Sequence, residues 1–166
     1  MTNETYARSE QRIGVLAEME RQFDNRNEKY FMSLLSHSDS IIRTRSVCIL
    51  ADLAGEEAVN PISQVLAGDG DALVRHEAAF SLGQLGFTTA VNALSQAVTS
   101  DPSFFVRHEA AVALGVIGSE KARKILNEAL NDKNEEVRKS AIVALANLDY
   151  ISVTKKNNEF TKMTGG

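Results

Sequence analysis

Val74-Arg75-His76-Glu77-Ala78-Ala79-Phe80-Ser81-Leu82-Gly83 is followed in register by Val106-Arg107-His108-Glu109-Ala110-Ala111-Val112-Ala113-Leu114-Gly115. A third copy runs Val137-Arg138-Lys139-Ser140-Ala141-Ile142-Val143-Ala144-Leu145-Ala146. A degenerate fourth is Ile42-Arg43-Thr44-Arg45-Ser46-Val47-Cys48-Ile49-Leu50-Ala51. The arginines at 43, 75, 107 and 138 set steps of 32, 32 and 31 residues. A unit of that length holds two helices of about 12 residues and two turns.

The turn chemistry divides each unit. Asp39, Asp71, Ser103 and Asn134 stand four residues before the arginines, and all are residue types that cap helix N-termini. A second helix therefore starts at each of them, with apolar residues such as Val74, Ala78, Leu82 and Leu85 on one face. First helices read 56–67, 88–99 and 120–131, with Ala58, Ala90 and Ala122 in register and Ile62, Leu94 and Leu126 likewise. Gly55, Gly86 and Gly118 close the helices before them. Pro61, inside a first helix, is expected to bend it. The fold class is all-α: an α-solenoid of about four helix pairs, each buried by its neighbours. Residues 27–150 form it. Residues 1–26 supply an extra N-terminal amphipathic helix or cap over 5–23, with Ile13, Leu16, Glu20 and Phe23 near one face. The polar stretch 151–166 reads as a disordered tail.

Composition narrows the function. Over 166 residues the net charge is −4, of the wrong sign for a general nucleic-acid binder. With no Trp and three Tyr there is no stacking platform for single strands. No apolar run is long enough to span a membrane, and the polar N-terminus is not a secretory signal. The single cysteine, Cys48, fits a reducing cytoplasm; it aligns with Phe80, Val112 and Val143 and is read as a small buried hydrophobe. His37 is read as a surface histidine. No phosphate loop and no Ser-His-Asp arrangement stands out. Asp69, Asp101 and Asp132 precede three of the arginines by six residues, which points to ion pairing between repeats; substrate anchoring is the alternative.

The paired His-Glu dyads carry the chemistry. His76-Glu77 and His108-Glu109 sit at equivalent positions, where the flanking repeats have Thr44-Arg45 and Lys139-Ser140. A need of the repeat itself would have put similar residues in all four. Seven residues on, the same two repeats carry Gly83 and Gly115, while the others have Ala51 and Ala146. Seven residues is about two helical turns, so each glycine shares a face with its histidine. A mid-helix glycine costs roughly 0.5–1 kcal/mol. It makes room near the histidine for a ligand or for another backbone, with tight packing as the plainer reading. Helices in adjacent repeats pack about 8–10 Å apart, so the two dyads can converge on one ion. Imidazole plus carboxylate suits a divalent transition metal, Fe(II) among them. Two histidines and a carboxylate with open positions describe an oxygen-activating iron site.

His-Glu-Ala-Ala followed by Leu-Gly resembles the dyad motif of deoxyhypusine hydroxylase, and residues 27–149 as a whole resemble short HEAT repeats of the phycobilin lyase-like kind. The hydroxylase family is a HEAT-repeat enzyme of two symmetric halves whose four dyads hold a non-haem diiron centre. The resemblance implies that His76, Glu77, His108 and Glu109 are metal ligands, with iron as cofactor and dioxygen or peroxide as co-substrate. It further implies hydroxylation of a lysine-derived side chain on a protein substrate. This chain matches one half only. A two-fold homodimer would bring together four dyads and two irons. The alternative is a metal-free protein-interaction scaffold, whose polar inner face contacts a peptide or helix. A chromophore lyase-like or chaperone-like partner role does not require the paired dyads, and zinc hydrolysis uses similar ligands but finds no general base apart from the ligands themselves.

Overall fold

The computed structural model describes residues 3–156, with side chains over 9–154. Helix α1 (Asn3–Asp24) precedes four helix pairs: α2 (Glu28–Leu34) with α3 (Ser40–Ala54), α4 (Val59–Gly68) with α5 (Ala72–Leu85), α6 (Val91–Ser100) with α7 (Phe104–Ile117), and α8 (Arg123–Ala129) with α9 (Glu135–Lys156). The second helices form one layer, α3 on α5, α5 on α7 and α7 on α9. The first helices form the other, α4 on α6 and α6 on α8. This is the expected α-solenoid.

Each second helix begins where its cap residue stands. Asp39 and Asp71 accept from the backbone N–H of Ile41 and Leu73 at 2.9 Å each, and Asn134 accepts from Glu136 N–H at 2.9 Å. Ser103 holds the extended cap conformation but makes no side-chain cap bond. Gly86 and Gly118 end α5 and α7 with left-handed backbone (φ 72° and 65°), which a side chain would strain. Ile62, Leu94 and Leu126 are fully buried in register, as are Ala58, Ala90 and Ala122.

Several expectations need correction. The first helices open with a 3-10 turn, as at Gly55–Ala58, so Pro61 lies in the first turn of α4. There its missing N–H has no intrahelical acceptor to lose, and no bend is required. Among the described side chains of α1 the buried one is Met19, backed by Val15 and Leu16, while Ile13 (62%) and Phe23 (42%) are exposed. The face that packs is thus turned from the one expected. Helix α9 continues past 150, where the polar tail was placed, because the Ile151 side chain lies in the space beside Gly118. Residues 157–166 of that tail lie outside the described residues.

The arginines tie the repeats together. Arg43 forks onto Asp69 (2.6 and 2.8 Å), Arg75 onto Asp101 (2.7 and 3.0 Å) and Arg107 onto Asp132 (2.7 and 3.0 Å). Each also donates to a backbone carbonyl six residues back, at His37, Asp69 or Asp101. The aspartates in turn accept from the N–H two residues on, at Asp71, Ser103 and Asn134, each at 2.8 Å. These groups bind one another across the repeats, the ion pairing expected of a structural ladder. His37 takes the aspartate's place in the first repeat. Its Nδ1 accepts from Asp39 N–H at 3.0 Å, so it organises a loop and is more than a surface residue.

Candidate metal centre on the second helices

The second helices leave one face of their layer open, and the dyads lie on it. Neighbouring residues on a helix point about 100° apart, so each dyad splits. His76 reaches forward from α5 to α7, where its Nε2 lies 3.2 Å from Glu109 Oε2. His108 reaches forward from α7 to α9, with Nδ1 2.6 Å from Ser140 Oγ. Glu77 reaches back from α5 to α3, where it accepts from the Cys48 thiol at 2.9 Å. The histidine of one repeat therefore meets the glutamate position of the next, and Ser140 fills that position in the fourth.

Each ring is held in a defined state. The Ser140 hydroxyl also donates to the Glu136 carbonyl at 2.9 Å. A hydroxyl has one proton to give, so the two contacts coexist only if His108 Nδ1–H donates to Ser140 Oγ. That leaves the Nε2 lone pair of His108 unused. The His76 ring stacks on Phe105, with centroids 3.9 Å apart and planes 6° from parallel. Its Nδ1 is buried and has no hydrogen-bond partner. Such an atom costs about 1–3 kcal/mol. The repeat does not impose that cost, since Thr44 and Lys139 occupy the position elsewhere.

Cys48 corrects its sequence reading. It is half-buried, not core. Its aligned residues Phe80 (43% exposed) and Val143 (68%) lie on the open face as well. Burial, then the hydrogen bond to Glu77 and that carboxylate's charge, push the thiol up to about 12. It is a protonated donor that positions Glu77.

For Gly83 and Gly115 the structure selects another backbone over a ligand. They open no space beside the histidines. A Cβ on Gly83 would lie 2.9 Å from Ala113 Cβ, and one on Gly115 2.8 Å from Ala144 Cα. The room is taken by the next helix, which is how α5, α7 and α9 come close enough for His76 to touch Glu109. Beside Gly115 a groove of about 470 Å3 opens between α7 and α9, lined by Val112, Val116, Ser140 and Val143 among others.

The donor set can be tested against a metal ion. Among the described residues, no three His, Cys, Asp or Glu side chains stand close enough to hold one. All four dyad residues are therefore not gathered at a point; only His76 and Glu109 meet. That pair fits: donors about 2.1 Å from one ion lie roughly 3.0–3.4 Å apart at octahedral to tetrahedral angles, and these two are 3.2 Å apart. His108 stands apart from that pair, with its Nδ1 on Ser140 Oγ, an outer hydrogen bond of the kind that orients metal-binding histidines.

A family model of HEAT repeats matches residues 59–146. The chain belongs to the HEAT-repeat family. Among solved HEAT-like structures, human deoxyhypusine hydroxylase in complex with glycerol superimposes with a TM-score of 0.69 at 34% identity. The match covers 75% of this chain and 44% of that one, so this chain spans less than half of that protein's length and resembles one half of it. The CpcE and CpcF complex of phycocyanin lyase from Nostoc sp. superimposes with a TM-score of 0.52 at 20% identity, over 79% of this chain and 68% of the other, a likeness of fold alone. No curated protein matches the chain significantly. Among the described residues no helix is long and apolar enough to cross a membrane.

Three residues of the site were missed by the sequence reading. Ser140 had a signal, since it aligns with Glu77 and Glu109. Phe105 aligns with Leu73 and Ile41, and nothing in that row marks it as the support of a histidine. Cys48 was visible only as an apolar-sized residue.

Proposed function

We propose that this chain is a dioxygen-activating, non-haem diiron oxidoreductase of the deoxyhypusine hydroxylase-like type. Its ligands are His76, Glu77, His108 and Glu109, and a homodimer in the cytoplasm completes the site. Residues 27–150 serve as the catalytic solenoid and 1–26 as its cap. The observation that carries the reading is the His76–Glu109 contact at 3.2 Å, beside a His108 whose Nε2 is left unused.

His76, Glu77, His108 and Glu109 would hold iron, which when bound would activate peroxide, or dioxygen together with two electrons from an external reductant, for hydroxylation of a lysine-derived side chain of a protein. The chain's own residues do the rest. Ser140 keeps the proton of His108 on Nδ1, and Phe105 fixes the plane of the His76 ring. Cys48 holds Glu77 by one oxygen and leaves the other open. The arginine ladder fixes the register of α5, α7 and α9, on which these contacts depend.

Elemental analysis of the iron-loaded full chain, with solution mass measured on the same sample, tests the reading. Two irons per dimer are expected. His108→Ala should lose iron while keeping the helical signal and melting temperature. Iron retained at native stoichiometry in that variant would overturn the ligand assignment. A second reading, a metal-free interaction scaffold, is favoured by the apolar side chains exposed on the second helices: Leu73 (55%), Phe80, Phe104 and Phe105. A chain that ignores iron and is unchanged by chelator would establish that reading in place of the first.

A further inference from the structure

The groove between α7 and α9 begins at the His108–Ser140 contact. On α7, Val112 and Val116 follow His108 by four and eight residues, so they share its face; on α9, Val143, Ala144 and Asn147 follow Ser140. Val116 (44%) and Val143 (68%) are exposed. Among the described residues no Lys, Arg, Asp or Glu lines the groove. Its volume of about 470 Å3 suits a small ligand.

One polar atom on its wall lacks a partner. Asn147 donates from Nδ2 to the Gly115 carbonyl at 2.7 Å. That carbonyl lies in the last turn of α7, where the helix supplies no donor of its own. The bond fixes the amide, because turned over it would set Oδ1 against the carbonyl oxygen. Oδ1 is thus left as an acceptor, buried and without a hydrogen-bond partner among the described residues. An unsatisfied buried acceptor is unfavourable. The repeat does not require it, since Asp52, Gln84 and Val116 hold the equivalent positions.

The groove also sets the shape of an occupant. Ser140 and Asn147 are seven residues apart, or about 10 Å along the helix. An extended alkyl chain covers that distance in roughly eight bonds at about 1.2 Å each. Apolar walls call for an aliphatic chain. The acceptor at the far end calls for a donor, and the net charge of −4 favours a cationic one.

We propose that the groove binds an aliphatic arm ending in a primary amine, whose N–H is taken by Asn147 Oδ1. Asn147 is thereby a specificity-determining residue. The proposal rests on the proposed function for the reacting end of the arm, beside His108; the binding of the arm itself needs no metal.

Titration of the iron-free full chain with n-octylamine, followed by the methyl NMR signals of Val112, Val116 and Val143, tests it. The control is n-octyltrimethylammonium, which has the same chain and charge but no N–H to give. The amine should shift the groove methyls and bind at least about tenfold more tightly than the control, the worth of one hydrogen bond to a charged group. In Asn147→Leu the two probes should bind alike. Val143→Trp, at an exposed position, should block both while the helical signal stays unchanged. A groove that binds neither probe, as when an ordered water satisfies Oδ1, would overturn the proposal. So would equal binding of the two by the native chain, binding that persists in Val143→Trp, or a preference for the amine that survives Asn147→Leu. Should Asn147→Leu not fold, the native comparison and Val143→Trp still decide. Iron is measured separately, and Asn147→Leu should take it up as the native chain does. Amine selection by a chain that ignores iron keeps this proposal and sinks the metal reading. Iron uptake without amine selection does the reverse.

Discussion

The arginine–aspartate ladder and the polar row of the second helices run side by side through the same repeats, and they differ in completeness. In the ladder, every rung from Arg43 to Arg107 carries a two-pronged ion pair, a carbonyl bond and a turn closed by the same aspartate. In the polar row no two rungs are alike: Cys48 meets Glu77, His76 meets Glu109, and His108 meets Ser140. One buried nitrogen there has no partner at all. A periodic set of contacts is what a stack needs in order to stand. An irregular set with an unpartnered buried nitrogen adds less to stability.

The comparison predicts unequal consequences of mutation. The largest falls on the ladder. Arg107 and Asp132 have side chains only 5% and 12% exposed. Arg107→Ala strands Asp132 and should cost about 3 kcal/mol in chemical denaturation. A loss below about 1 kcal/mol would place the ladder among ordinary surface pairs.

Next comes the glycine beneath the polar row. Gly115→Ala should destabilise by about 2 kcal/mol, since its Cβ meets backbone at Ala144. An exposed helical glycine changed to alanine would gain up to about 1 kcal/mol. The sign of the change thus separates close packing from empty space.

Acid acts on the ladder through its aspartates. The Arg107 hydrogen bond holds the Asp132 carboxyl below its ordinary value. A lowered folded value contributes stability above the unfolded pKa of about 3.9, and that contribution is lost as pH falls through the folded value. Native stability should therefore fall steeply below about pH 4, and the slope should be shallower in Arg107→Ala. Parallel curves for the two proteins would contradict the assignment.

The smallest effect is expected in the polar row. His76→Ala gives up one imidazole–carboxylate contact and one ring stack, and it also removes the unpartnered nitrogen. Stability should move by less than about 1 kcal/mol in thermal melts, while iron uptake falls. A loss as large as that of Arg107→Ala would make the histidine structural and end the contrast.

Much of this was legible in the residues. The arginine period gave the repeat length, the capping residues gave the helix starts, and the aspartates six residues before gave the ion pairs. The dyads were found because the flanking repeats lack them. The pairing among them was not legible. Equal register shows that His76 and His108 share a face, but not that each turns forward while its glutamate turns back. The role of Gly83 and Gly115 was open for the same reason: the sequence specified a missing side chain, and the structure shows that a neighbouring helix fills the gap.

The sequence by itself determined what is local or periodic: the four helix pairs, their ends, the ladder and the position of the dyads along each helix. Caps and hydrophobic spacing act within a few residues, so each copy of the repeat carries them whole. The tertiary structure alone decided what depends on the rotation and separation of packed helices: His76 with Glu109, His108 with Ser140, Cys48 under Glu77, Met19 as the anchor of α1, and the groove between α7 and α9. Those contacts join residues about 30 positions apart, and their geometry is set by side-chain packing between helices, which no single repeat contains.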